Sequence, residues 1–384
     1  MSSKHTYVTK SEQRRAAKKK KKAKTLRTFI IAAVCVLAVV FGANALINGM
    51  YQHGGKVDSD IRTADELKGD VMNILVCGID WNEGRTSANT DVIMYVTLDI
   101  KSKKVSAFQI PRDTYIGEDV NTGNTGKINA VYGKNGSDNP IMDVAKILNS
   151  KLNLSIDHYV TLDMDAFINV VNGIDGGLDM YVPCPITLKD KATGREETII
   201  PEAGWYKVDG ALAEQIVRNR NYPNADVYRL EVQRYFYAAV IKYFTENTSV
   251  SDFIKIMSRF TQYLTTDMDW KEIASIAQFG FSVDYNDMVL VKPQLHGYDV
   301  IKAGKNSATN VIVPVEDNWA ELLNTYCRPY QNESDGSVLQ LPTRPPAGEV
   351  VRDYGITESS ITTIGELLNN AGPGSDFACP LSRK

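Results

Sequence analysis

Five cysteines and four histidines in 384 residues are too few for a disulfide scaffold, and no CxxC or Cys/His ligand spacing supports a structural zinc site. There is no GxSxG, GxxxxGK[ST], HExxH or EF-hand loop, so the serine-hydrolase, P-loop, zincin and calcium-sensor classes have no motif to stand on. No 20 to 50 residue repeat is present, which excludes a solenoid. Cys77 sits in an apolar run and reads as buried and inert, and Cys327 with Cys379 is the one pair worth testing as a disulfide.

What is present is unevenly distributed. Residues 1–27 hold eleven Lys/Arg against the single acid Glu12, so the remaining chain carries 32 basic and 45 acidic residues. The near-neutral total conceals a basic arm on an acidic body. Thr28 to Ile47 then runs twenty residues without a charge, long enough at about 1.5 Å per residue to cross a bilayer as a helix. The positive-inside rule places the arm in the cytoplasm and everything after the span outside the cell. An acidic body on that side argues against nucleic acid as a partner, and the arm's lysines suit anionic lipid. Residues 48–70, polar and punctuated by glycine, read as a stalk.

From residue 71 apolar periodicity takes over. VMNILVCGID reads as a buried strand, and DVIMYVTLDI and VSAFQIP as a hairpin. Helical spacing over 140–152 precedes a strand over 158–164, a short helix over 165–176 and the strand GLDMYVP; further helices are expected over 208–219, 226–245, 251–264 and 270–279. Alternating strands and helices predict one α/β/α sandwich with a mixed central sheet over 71–320. Residues 321–384, rich in Pro, Gly and Ser, read as an extended tail with one helix near 361–370.

Chemistry-bearing residues gather at the ends of these elements. Asp80 follows the first strand and Asp91 opens the next; two carboxylates so placed are either turn residues or ligands of a hard divalent cation. IPRDTY sets Arg112 beside Asp113, and Lys127 lies in a glycine-rich loop. The most informative stretch is 217–234, VRNRNYPNADVYRLEVQR, which has four arginines, two carboxylates and no lysine. A solvated face has no need of so many planar bidentate forks, whereas phosphate recognition does. Asp226 suits an N-cap, which puts Arg229 in the first helical turn, where the macrodipole disfavours a cation unless an anion binds there. Gln233 shares the face of Arg229 at i,i+4, with Arg234 beside it. Arg218 and Arg220 approach from the preceding helix and loop, and pairing of Arg229 with Asp226 or Glu231 is the competing explanation.

NILVCGID, NTDVIMYVTLD, IPRDTY, KINAVY and VRNRN…DVYRLEVQR, in this order behind one apolar span, resemble the LytR-CpsA-Psr family over roughly residues 72–245. The resemblance implies a membrane-anchored phosphotransferase. Such an enzyme moves a glycopolymer, teichoic acid-like or capsular, from undecaprenyl pyrophosphate to a muramic acid hydroxyl of peptidoglycan, with a hydrophobic pocket for the prenyl tail. It makes Asp80 and Asp91 the magnesium carboxylates and Arg112, Arg218, Arg220 and Arg229 the pyrophosphate clamp, supported by Asp113, Lys127, Asp226 and Gln233. The general base stays open between Asp91 and Asp113. The family's usual arginines are replaced here by Asn89 and Val232, with Arg85 or Arg234 as candidates to compensate. A polyprenyl-pyrophosphate-binding regulator or scaffold of wall assembly and a polyprenyl pyrophosphatase are the alternative functions.

Overall fold

The structure is a computed structural model that describes residues 52–371, apart from 81–87, 135–137, 190–192, 220, 222–224, 248–263, 334–335, 337–338 and parts of 270–282. The arm, the apolar run 28–47, Arg85, Arg220, Cys379, the expected helix over 251–264 and the side chain of Asp226 lie outside the described residues. Among those described, no helix is long and apolar enough to cross a membrane.

A mixed sheet of eight strands occupies the centre. In chain order they are Gln52–His53 (β1), Val71–Ile79 (β2), Thr90–Asp99 (β3), Lys104–Gln109 (β4), His158–Asp163 (β5), Leu264–Thr266 (β6), Val289–Lys292 (β7) and Ser360–Thr363 (β8), and the spatial order is β1-β6-β5-β2-β3-β4-β7-β8. β2 is parallel to β5 and antiparallel to β3, and β4 returns antiparallel to β3. The apolar run that forms β2 is continuous because both of its faces are covered. Ile74 and Val76 enter one core, while Leu75, Cys77 and Ile79 enter the other.

Helices close each face, giving the three layers expected from the sequence. Pro140–Leu152 (α1) begins with proline at its first position and ends at Asn153 in the left-handed region (φ 52°). It buries Ile141, Val144, Ala145 and Leu148 in the Leu75 core. On the opposite face lie Met164–Asn172 (α2), Gly210–Arg218 (α3) and Ala225–Asn247 (α4). The side chain of Asp163 caps α2 and that of Asp209 caps α3. A Cβ at Gly210 would lie 2.2 Å from the Ile168 carbonyl oxygen, so glycine is what lets α3 approach α2 so closely. From Leu230 to Ile241, α4 is buried on almost every side, because it lies between the sheet and the Leu178–Val182 strand; Tyr181 and Tyr235 meet there at 5.4 Å.

Composition alone makes residues 321–384 look extended, but the structure folds much of this segment into the domain. Glu316–Cys327 (α5) runs across residue 320, Gly348–Thr357 pairs with Leu295–Lys302, and β8 pairs with β7 at the end of the main sheet. Ile364–Asn369 (α6) then buries Ile364 and Leu367 in the α4 core. Local alternation and apolar partners outweigh the turn-rich composition around them. Cys77 and Cys327 are buried thiols whose pKa is pushed up by loss of solvent, which makes them unreactive.

Candidate active site

Strand directions assemble the site. Because β2 and β5 are parallel, both finish at one edge of the sheet, and antiparallel β3 starts there; Ile79 is in register with both Thr90 and Asp163. Asp80, Asp91 and Asp163 therefore share one edge, and β4 delivers Arg112 and Asp113 to the same end.

Each of the two carboxylates read as metal ligands is gripped by an arginine. Arg218 Nη2 donates to Asp80 Oδ1 (3.1 Å) while its Nη1 donates to Glu214 Oε1 (2.7 Å), one turn back on α3. Arg112 Nη1 donates to Asp91 Oδ1, and Arg112 Nε lies 3.6 Å from Asp113 Oδ2. Lys127 Nζ donates to Asp113 Oδ1 at 2.9 Å. Lys127 reaches this edge because Gly126 adopts φ 71° and Lys127 pairs with Tyr115 across an isolated bridge. Burial alone would lower the pKa of Arg218, but Glu214 and Asp80 raise it overall, so its guanidinium stays charged.

Behind this mouth a cavity opens between the sheet and α2–α4, with about 1250 Å³ of empty space, its open mouth included. Val76, Val92, Met94, Val160, Phe167 and Phe236 are among its apolar walls, and its polar lining includes Asp91, Asp163, Arg218, Arg229 and Gln233. Arg229 is only 1% exposed. Gln233 Nε2 donates to the Val217 carbonyl (3.1 Å), tying α4 to the end of α3. Such a lining suits a molecule with a long apolar part and an anionic head.

The structure thus brings Asp80, Asp91, Arg112, Asp113, Lys127, Arg218, Arg229 and Gln233 to one edge. It departs from the sequence reading at three points. The described helix begins at Ala225, so Asp226 lies inside it and Arg229 is its fifth residue, past the first turn where the dipole is strongest. Among the described residues Glu231 holds Arg234 Nη1 (3.1 Å) and Lys292 Nζ (2.7 Å), while the pairing of Arg229 with Asp226 falls on a side chain outside the described residues. Arg234 also donates to Ser360 Oγ and to the Leu290 carbonyl, so it faces β7 and β8 and does not replace the missing arginine at 232; Val232 itself is fully buried core.

Two residues were overlooked in the sequence. Asp163 reads as an ordinary strand-end aspartate, yet it both lines the cavity and caps α2, its Oδ1 accepting from Ala166 N (2.7 Å). Burial, reinforced by Asp165, holds its pKa above the usual carboxylate range despite that cap. Glu214 is legible only once α3 is known to be a helix, because its link to Arg218 is an i,i+4 pair.

Among the described residues no group of three or more His, Cys, Asp or Glu is placed to hold a metal ion; Asp80 and Asp91 are two carboxylates, a set that would suit a magnesium ion whose shell is completed by water and phosphate oxygens. The charge balance at the mouth fits such an ion. The carboxylates of Asp80, Asp91, Asp113, Asp163 and Glu214 at least match the described cations, so an anionic ligand gains from an added divalent cation.

A family model, the LytR_cpsA_psr family, matches residues 37–312. The chain belongs to the LytR-CpsA-Psr family. A relative from Bacillus subtilis (strain 168), the polyisoprenyl-teichoic acid–peptidoglycan teichoic acid transferase TagV, is 29% identical over 218 residues, 56% of this chain and 54% of TagV. Biofilm regulatory protein A of Streptococcus mutans is 30% identical over 210 residues, 52% of this chain and 50% of that protein. The matches span about half the length of each of these two relatives. The crystal structure of B. subtilis TagV superposes with a TM-score of 0.52 at 25% identity, covering 67% of this chain and 96% of TagV. A LytR-Csp2A-Psr enzyme from Actinomyces oris, 16% identical, shares the fold with a TM-score of 0.51, covering 72% of this chain and 96% of that one. The mixed α/β layering around a central sheet is therefore a LytR-CpsA-Psr fold.

Proposed function

We propose that this chain is a phosphotransferase that moves a glycopolymer from a polyprenyl pyrophosphate carrier, undecaprenyl pyrophosphate in kind, to a muramic acid hydroxyl of peptidoglycan. The observation that carries this reading is the cavity. Its walls are apolar and its mouth holds Arg218, Arg229 and Asp91, the complement of a hydrocarbon chain ending in pyrophosphate. The name of TagV supports glycopolymer transfer to peptidoglycan as the class of reaction.

In this reading the tail fills the cavity and the pyrophosphate lies among Arg112, Arg218 and Arg229. The acceptor hydroxyl oxygen bonds to the glycan-linked phosphorus, the bond from that phosphorus to the bridging oxygen breaks, and polyprenyl phosphate leaves. Negative charge grows on the leaving phosphate, and preorganised guanidiniums stabilise it without reorganising. Asp91 and Asp113 hold Arg112 from two sides, and Asp80 with Glu214 does the same for Arg218, so both forks are aimed before the ligand arrives. Both carboxylates read as bases are held by a cation, but Asp91 lines the cavity, so Asp91 is better placed to take the hydroxyl proton. Magnesium held by Asp80 and Asp91 would add charge neutralisation on the phosphate oxygens.

The run 28–47 serves in this proposal as a single membrane anchor, with the arm cytoplasmic and the catalytic body outside, next to its lipid-linked donor. Protease added to wall-stripped cells is expected to digest the body and spare the arm.

The deciding experiment incubates the detergent-solubilised chain with a polyprenyl-pyrophosphate-linked glycan, magnesium and peptidoglycan fragments. Glycan on the fragments supports transfer. Release of free phosphate without transfer would make the chain a pyrophosphatase. Retention without turnover would make it a binding regulator, a reading that the name of the S. mutans relative favours.

A further inference from the structure

Tyr237 is a polar side chain in the wall of the cavity, beside Phe236 and Val240. Its hydroxyl is buried and, among the described residues, has no hydrogen-bond partner. Gln233, one turn earlier, is committed to the Val217 carbonyl and does not supply one. A dry hydroxyl without a partner is costly, and phenylalanine would keep the ring's packing without that cost. The oxygen therefore needs a purpose that packing does not provide.

Position along α4 suggests it. Arg229, Gln233 and Tyr237 are spaced four apart, all line the cavity and stand on three successive turns of one face, each roughly 5 to 6 Å further along. Long side chains on a helix lean toward its N-terminus, which carries the phenol back toward the turn of Gln233 and Arg229. The charge of Arg229 is felt at the phenol: burial pushes the Tyr237 hydroxyl strongly up, and Arg229 opposes it. Tyr237 thus stands two turns further along α4 than Arg229, on the side where, in this reading, the phosphate nearer the lipid would lie.

We propose that Tyr237 is a ligand-binding residue whose hydroxyl donates a hydrogen bond to the lipid-proximal phosphate of a polyprenyl pyrophosphate. The inference rests on the reading of the cavity as a polyprenyl pyrophosphate site. It adds to that reading a donor that fixes how deep the phosphate sits, and so which phosphorus faces Arg112 and Arg218 at the mouth.

The test titrates geranylgeranyl pyrophosphate, geranylgeranyl monophosphate and geranylgeraniol against the detergent-solubilised chain and its Tyr237→Phe variant, with melting temperatures measured on both. The variant should bind each phosphorylated lipid about tenfold more weakly, as expected for loss of a hydrogen bond to a charged group. It should bind the alcohol unchanged and melt at the same temperature or higher. Equal weakening for the alcohol would assign the hydroxyl to the tail and overturn the proposal. So would unchanged affinity for all three lipids, with or without a lower melting temperature. If the unsubstituted chain itself fails to bind the pyrophosphate, the cavity reading falls and this inference with it.

Discussion

Arg218 on α3 reaches Asp80 at the end of β2, with Nη2 3.1 Å from Oδ1, and the same guanidinium holds Glu214 through its other nitrogen. An arginine bracketed by two carboxylates is usually a structural clasp, but the Arg218 side chain is 33% exposed and lines the cavity mouth. Partly exposed ion pairs contribute roughly 0 to 1 kcal/mol. Arg218→Ala is therefore expected to leave the melting temperature nearly unchanged while lowering transfer at least about a hundredfold, in line with removal of a single transition-state donor. Melting curves beside transfer rates check this, and a variant that melts early but turns over normally would make Arg218 a clasp after all.

Glu231 makes the opposite prediction. Burial alone would raise its pKa, but Arg234 and Lys292 together hold it below the ordinary value of 4.5. A depressed folded-state pKa means the group stabilises the fold above its unfolded value, and that contribution is lost as pH falls through its folded value, here below 4.5. Removing it leaves two buried cations uncompensated, since the Arg234 and Lys292 side chains are 1% and 6% exposed. Glu231→Gln should cost about 3 to 5 kcal/mol near neutral pH. The gap to the unsubstituted chain should narrow in acid. Denaturant titrations at several pH values test both the size and the sign.

For Arg229 the structure changes the argument without removing the residue from the site. As the fifth residue of α4 it gains little from relief of the dipole, so ligand-free stability gives no guide to its role. The proposed role rests on its fork. Arg229→Lys keeps the charge and loses the planar bidentate geometry, and affinity for a polyprenyl pyrophosphate should fall by about tenfold. Calorimetric titration of the folded variant reads this directly, and full affinity in the lysine form would reduce Arg229 to a point charge.

Much of this site was legible because strand ends are easy to find. VCGID and NTDV announce a strand finishing and another starting, and parallel or antiparallel pairing then forces Asp80 and Asp91 onto one edge. α1 was legible to the residue, since Pro140 and the Ile141, Val144, Leu148 spacing fix both its start and its buried face. Direction around a fully buried helix was not legible. α4 is buried on nearly every side from Leu230 to Ile241, so periodicity did not reveal that Arg234 faces β7 and β8 while Arg229 lines the cavity. The same ambiguity hid Tyr237. β8 escaped notice because a four-residue strand at a sheet end, half exposed, leaves almost no alternation to detect.

The two carboxylates proposed for magnesium separate binding from folding. Asp80→Asn and Asp91→Asn each remove a charged oxygen donor, and both should weaken magnesium binding and abolish transfer, because among the described residues no third ligand joins them to cover either loss. Their effects on stability should differ. Asp80 faces Arg218, whose partial exposure lets water take over, so Asp80→Asn should melt within a degree or two of the unsubstituted chain. Asp91 faces Arg112, whose side chain is 8% exposed, and although Asp113 lies near, a largely buried guanidinium then loses one of the counter-charges described around it. Asp91→Asn should therefore cost about 1 to 3 kcal/mol in addition to the lost metal. Manganese substituted for magnesium gives a binding signal independent of turnover. Equal manganese affinity in either variant would remove that aspartate from the metal site, and equal stability of the two would show that Arg112 does not depend on Asp91.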